Sequence, residues 1–308
     1  MTTGVLLMAY GSPNSIEEIE PYLRDIRGDR PIRDGLLEDL IRRYSAVGVP
    51  SPLLDVTLAQ AAGIERALSD DGDYRVFVGM KHWEPWIRQA VEEIDASSVR
   101  RVIGVAAAPH YSAMSIGGYA GRVERAMKET GARFTFRMIE SWWEQPGYSA
   151  LVADNLRETM HGWDPADPAT HVFFTAHSLP ERILAAGDPY RDQLLASAER
   201  IAQRAGIRHW SFAFQSASQT GEPWLGPDLL DALSIFAGDG GRRAAVAPIG
   251  FVADHLEILF DIDIEAVEAA GRLGVELRRI PSPNADPRLC RAIADAVLAE
   301  EASWRVAS

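Results

Sequence analysis

Short apolar runs bounded by turn residues recur along this chain and alternate with stretches of helical periodicity. Val5-Leu6-Leu7-Met8-Ala9, Arg75-Val76-Phe77-Val78, Val102-Ile103-Gly104-Val105-Ala106 and Phe134-Thr135-Phe136-Arg137-Met138 read as strands. A second set follows at 171–175, 209–214, 244–248 and 275–279. Between them, Ser15-x-x-Glu18 has the form of a capping box opening a helix toward Arg27. Tyr190, Leu194, Leu195, Ala198, Ile201 and Ala202 recur at helical spacing, and a last helix is expected over 288–298.

Alternating strand and helix predicts the α/β class, with two doubly wound halves built on parallel sheets and joined near Glu140 to Tyr148. The expected domains are 1–142 and 143–308, with the last helix packing on either half. The halves share a plan but no sequence repeat. At 308 residues the chain is comfortable for two such domains, and a single barrel is the competing architecture. Proline-bearing loops at 163–168 and 281–287 read as punctuation rather than as flexible linkers.

Charge narrows the partners. A net charge of −13 argues against a general nucleic-acid binder, which would carry a basic face, while leaving room for a local basic pocket. No apolar run is long enough to span a bilayer, and Met1 to Met8 lacks the pattern of a signal peptide, so a cytoplasmic protein without integral membrane association is expected. The one cysteine, Cys290, can form no intramolecular disulfide and cannot alone ligate an iron–sulfur cluster. It reads as a small apolar residue of the last helix. Neither Gly-x-Gly-x-x-Gly after the first strand nor Gly-x-x-x-x-Gly-Lys-Ser/Thr occurs, so the fold requires a ligand other than the common nucleotides.

Two polar clusters carry the chemistry. The run Val172 to Ala176 delivers His177-Ser178-Leu179-Pro180, and the run Ala244 to Ile249 delivers the segment Gly250 to Glu257. Strand carboxyl ends of a parallel sheet open onto one crevice, where a distant imidazole and carboxylate can meet to bind a divalent metal or move protons. Glu257, Asp261 and Glu265 stand at four-residue intervals, one stripe of a helix. That stripe is either a solvated face or a path for cations, and Asp254, His255 and Asp263 thicken its acidic surroundings. Arg27, Arg30, Arg42 and Arg43 either solvate helix ends or offer guanidinium forks to a multiply anionic small molecule. Tyr10, Tyr44, Trp83, Trp86, Tyr111, Tyr119 and Trp224 supply flat apolar surface for a core or a pocket.

In order and spacing these residues resemble the ferrochelatase family, and within it the coproporphyrin type of Gram-positive bacteria. The resemblance runs nearly end to end through Leu6 to Pro13, Arg43-Tyr44, Ser51-Pro52-Leu53, Lys81 to Pro85, Pro109 to Ser112, Ala176 to Pro180, Phe214-Gln215-Ser216, Trp224 to Pro227 and Pro248 to Asp263. Gly48-Val49-Pro50 departs from the Gly-Gly that often precedes Ser51 in the family.

The resemblance implies two Rossmann-like domains around a porphyrin cleft, with His177 and Glu257 as the metal-site pair and Tyr10 approaching the metal from the other face. It places Tyr10, Arg27, Arg43, Tyr44, Ser51 and Tyr119 on the macrocycle and its propionates, and Asp261 and Glu265 on an acidic ridge that relays metal. Fe²⁺ is then a substrate, two protons are released, and no tightly bound cofactor or iron–sulfur cluster is expected. A monomer, transient contacts with other haem-pathway enzymes and at most peripheral membrane contact complete the expectation. The alternatives are a protoporphyrin IX ferrochelatase, a tetrapyrrole chelatase for cobalt or nickel, and a non-catalytic haem or porphyrin carrier.

Overall fold

All eight apolar runs become strands, and the computed structural model arranges them as two four-stranded sheets in which every pairing is parallel. It describes residues 2–28, 30–218 and 221–306. The first half runs β1 (Thr3–Ala9), α1 (Ile19–Arg27), α2 (Leu36–Val47), α3 (Leu53–Leu68), β2 (Tyr74–Met80), α4 (Ile87–Ala96), β3 (Arg101–Ala106), α5 (Ile116–Thr130) and β4 (Thr135–Met138). Its sheet has the order β2-β1-β3-β4.

The second half follows with α6 (Pro146–Thr159), β5 (Thr170–His177), α7 (Arg182–Ala185), α8 (Tyr190–Ala205), β6 (Trp210–Gln215), α9 (Leu229–Gly238) and β7 (Arg243–Ala247). After β7 come α10 (Leu256–Leu259), a π-helical turn (Asp261–Ala266), α11 (Val267–Leu273), β8 (Glu276–Arg279) and α12 (Pro287–Val306). Its sheet, β6-β5-β7-β8, repeats the order of the first, so β1 and β5 are equivalent inner strands. Every residue of β1 is buried, which explains why its sequence shows an unbroken apolar run instead of alternation.

The last helix returns to the first half. Cys290 of α12 lies buried against Gly63 of α3, where a Cβ would come within 2.4 Å of its sulfur, so only glycine allows the two helices to approach this closely. Glu301 accepts hydrogen bonds from Thr3 (2.9 Å) and Tyr74 (2.7 Å), and Gln60 of α3 donates to the carbonyls of Asn284 (2.9 Å) and Val252 (3.3 Å). One apolar cluster, including Val5, Ile64, Phe174, Leu289 and Val297, runs through both halves. Among the described residues no helix is long and apolar enough to cross a membrane.

Two local expectations are corrected. Ser15-x-x-Glu18 forms a turn and not a capping box: α1 begins at Ile19, and the Glu18 carboxylate accepts from the backbone N–H of Asn14 (2.7 Å) and the indole of Trp83 (2.9 Å). A half-buried indole N–H needs an acceptor, and Glu18 supplies it at the expense of the local cap. The carboxylate stripe, in turn, does not ride on a plain α-helix. Its middle is the π-turn, closed by the five-residue bond from Glu265 N–H to the Phe260 carbonyl (2.9 Å).

Candidate active site

His177 is the last residue of β5, and the Tyr190 hydroxyl holds its backbone carbonyl at 3.0 Å. Glu257 stands in the first turn of α10, beyond β7, and its carboxylate meets His177 Nδ1 at 3.0 Å. Two contacts set this meeting. Gln215, buried at the end of β6, donates to the Glu257 carbonyl at 3.1 Å and is itself fixed by the Thr175 hydroxyl at 2.9 Å. Gly250 lies flat on the residue before His177: a Cβ there would stand 2.5 Å from Ala176 Cβ and 2.9 Å from its Cα. Gly250→Ala is therefore expected to destabilise the protein by about 1–3 kcal/mol, the usual cost of forcing an extra methyl into a packed site. Urea unfolding measures it, and a change below about 0.5 kcal/mol would show that the loop slides off β5 freely.

Each member of the pair favours the charged form of the other. Burial alone would lower the His177 pKa, but the charge and hydrogen bond of Glu257 outweigh it and hold the imidazole above its ordinary range. Burial likewise works against an ionised Glu257, and His177, with help from His255, overcomes it and keeps the carboxyl well below the usual range. His255 donates through Nδ1 to the Ala253 carbonyl at 2.9 Å and stands 3.9 Å from the Glu257 carboxylate. Close to a third of each pair member's side chain is exposed (31% for His177, 33% for Glu257), so an incoming ion can reach it.

Tyr10 follows β1 as His177 ends β5, so equivalent strands deliver the two side chains. Its phenol is pushed above the ordinary range, first by desolvation and then by the charge of Glu257, and so stays protonated at neutral pH. Its ring rests 4.5 Å from that of His82, whose Nδ1 is 2.7 Å from Asp25; Arg122 reaches the same carboxylate at 3.2 Å. Burial lowers the His82 pKa to about 4. Tyr44 is buried edge-on to Tyr22, and Tyr119 is buried beneath the Lys81 ammonium, 5.0 Å from its ring centre.

The other expected contacts divide. Arg27, in the last turn of α1, donates to the Pro31 carbonyl, and the Ser51 hydroxyl accepts from the Leu53 N–H at the start of α3. Neither hydrogen-bonds to the His177–Glu257 pair. Arg43, expected at a propionate, pairs with Asp39 (2.8 Å), Asp261 (2.9 Å) and Glu265 (3.9 Å), its guanidinium 4.8 Å above the Phe260 ring. Asp261 is buried and also accepts a hydrogen bond from Ser216. Burial and then the charge of Glu257 raise its pKa to about 6, against the opposing pull of Ser216 and Arg43.

The acidic neighbourhood is also smaller than the sequence suggests. Asp263 forms a bidentate pair with Arg279 (2.7 and 2.9 Å), and Asp254 is held by Ser282, Asn284 and the same arginine. Tyr190, Gln215, Ser216 and the Asp25–His82 pair are supporting residues that residue type alone did not single out. Gln215, Ser216 and His82 sit at or just beyond strand ends, and that placement is the signal by which they could have been found.

The ferrochelatase family model matches residues 2–301. A ferrochelatase of Herpetosiphon aurantiacus is 46% identical over 92% of this chain and 94% of its own length, and a coproporphyrin III ferrochelatase of a Geobacillus species is 39% identical over 96% of each. The sirohydrochlorin chelatase SirB of Bacillus subtilis subspecies spizizenii shares the fold, with a TM-score of 0.59 at 10% identity over 96% of this chain and 94% of that one. The chain belongs to the ferrochelatase family, metal chelatases that act on a porphyrin and Fe²⁺.

Proposed function

We propose that the protein inserts Fe²⁺ into coproporphyrin III in a cleft between domains 1–142 and 143–308, with the His177–Glu257 pair exchanging metal for protons. The carrying observation is that pair, an imidazole and a carboxylate 3.0 Å apart at the carboxyl end of an inner strand. Among the described residues no group of three or more His, Cys, Asp or Glu side chains is arranged to hold a metal ion. An ion in transit needs only a partial protein site, because four ring nitrogens complete its coordination.

A proton held by the pair sits on His177, because each partner favours the other's charged form. An approaching dication favours its release, since metal ligands bind deprotonated. The neutral imidazole and the carboxylate can then hold iron or accept the pyrrole protons as the ring is metallated. A stiff macrocycle exposes its inner nitrogens when it buckles, and bound-substrate distortion of this kind costs about 1–5 kcal/mol, supplied by contacts away from the centre. Tyr10, Tyr44 and Tyr119 are the ring contacts in this reading, and Arg27, Arg43 and Ser51 the propionate donors. Asp261 and Glu265 feed metal toward Glu257.

Coproporphyrin carries four propionates and protoporphyrin two, so only the former uses the wider donor set. One additional charged hydrogen bond contributes about 1.5–3 kcal/mol, so kcat/KM for coproporphyrin III should exceed that for protoporphyrin IX by roughly 10- to 150-fold. Anaerobic steady-state kinetics with both porphyrins test it. Equal efficiencies, or a preference for protoporphyrin, would overturn the substrate assignment, and binding without any insertion would make the protein a carrier.

A further inference from the structure

The proposed function gives Arg43 a substrate propionate, whereas the structure commits all three of its guanidinium nitrogens to carboxylates. Nε faces Asp39, Nη1 faces Asp261 and Nη2 faces Glu265, while Phe260 packs beneath the plane. Two of these contacts are hydrogen bonds and the third a longer ion pair, so a propionate must compete with three carboxylates for the same cation. If Arg43 moved away, the three carboxylates would fare differently. Asp39 would keep Arg42 at 2.6 Å. Among the described residues Asp261 would keep only the Ser216 hydroxyl, and Glu265 has no second ion pair. Asp261 is buried and lies within the field of Glu257, so stripping its counter-ion without replacement is strongly unfavourable. A dication entering the ridge removes that penalty.

We propose that Arg43 couples the two substrates by exchanging partners: in the porphyrin-free protein it closes the ridge of Asp261 and Glu265, and a propionate that draws it away opens the ridge to the metal ion. The inference rests on the propionate and ridge assignments of the proposed function and adds an order of events to them. Each incoming partner satisfies a group that the other leaves bare, so metal and porphyrin tighten each other's binding by the same factor. Free Fe²⁺ is thereby kept from settling on the ridge before a ring is present to receive it.

The test uses Mn²⁺, whose electron spin resonance signal reports free ion, and zinc coproporphyrin III, whose filled ring takes no further metal. In the wild-type protein the zinc porphyrin should lower the Mn²⁺ Kd by about 5–150-fold, the usual range of coupling between sites. Mn²⁺ should lower the porphyrin Kd by the same factor, read by fluorescence. The zinc complex of coproporphyrin tetramethyl ester, which carries no carboxylates, should leave the Mn²⁺ Kd unchanged. Arg43→Met should bind Mn²⁺ tightly without porphyrin and lose the coupling, and Asp261→Asn combined with Glu265→Gln should abolish the tight site.

The wild-type titrations stand on their own if Arg43→Met does not fold. A wild-type Mn²⁺ Kd that ignores bound zinc coproporphyrin, an ester that couples as well as the acid, or an Arg43→Met protein that still responds to porphyrin would each overturn the proposal. Failure of the coproporphyrin reading itself shows elsewhere, as absence of Fe²⁺ insertion in the anaerobic assay or of zinc coproporphyrin binding, and the latter overturns both.

Discussion

Replacing His177 with alanine is expected to lower kcat for Fe²⁺ insertion by about 10²–10⁴-fold, the range for losing a positioned proton-transfer group, and to leave the porphyrin Kd within a few-fold of wild type. The imidazole Nδ1 stands 3.0 Å from the Glu257 carboxylate, closer than His255 at 3.9 Å, and the side chain reaches solvent. Its loss removes the exchange step without touching Tyr44 or Tyr119, which are buried in the first half. The fold should persist, because the link that fixes this strand end runs from the Tyr190 hydroxyl to the backbone carbonyl of residue 177, not to its side chain. Stopped-flow absorbance of the free-base porphyrin measures the rate, and fluorescence quenching measures binding. Turnover within about threefold of wild type would remove His177 from the mechanism.

Glu257→Gln should produce a loss of similar size together with a displaced pH profile. Glu257 is what raises the His177 pKa, while burial presses it down. In the wild type, a step that needs neutral imidazole gains rate as pH rises through this elevated pKa. With glutamine the raising charge is gone and the depressing burial remains, so the same limb should move to lower pH while the plateau falls. The pH dependence of kcat/KM reads the free enzyme and is the measurement to make. A limb that stays in place would show that it belongs to another group, and a plateau near wild type would deny Glu257 a part in the exchange.

The strands were legible because each is a local event. Residues buried on both faces of a parallel sheet must be apolar at nearly every position, and that signal needs no knowledge of the partner strand. The meeting of His177 and Glu257 was legible for the same reason, since one ends a strand and the other follows one. What could not be read depends on distant partners. Glu18 abandons its helix cap for Trp83, far along the chain. Four-residue spacing is the same in the letters whether the turn carrying Asp261 is α or π, and the turn's shape goes with contacts from Arg43 and Ser216, which belong to other elements. Arg43 itself shows a general ambiguity: a guanidinium attracts substrate carboxylates and the protein's own carboxylates alike, and only coordinates reveal which of them holds it in the resting molecule.

The return of α12 to the first half has a consequence for how the protein is made. Ala61, Ile64 and Leu68 on α3 belong to the apolar cluster that Leu289, Ile293 and Val297 complete. During vectorial synthesis that face leaves the ribosome long before its cover does. At about 5–20 residues per second the interval is on the order of ten to fifty seconds. Through that time the nascent first half presents a bare greasy stripe, the feature that general chaperones recognise, and its maturation waits on the synthesis of α12.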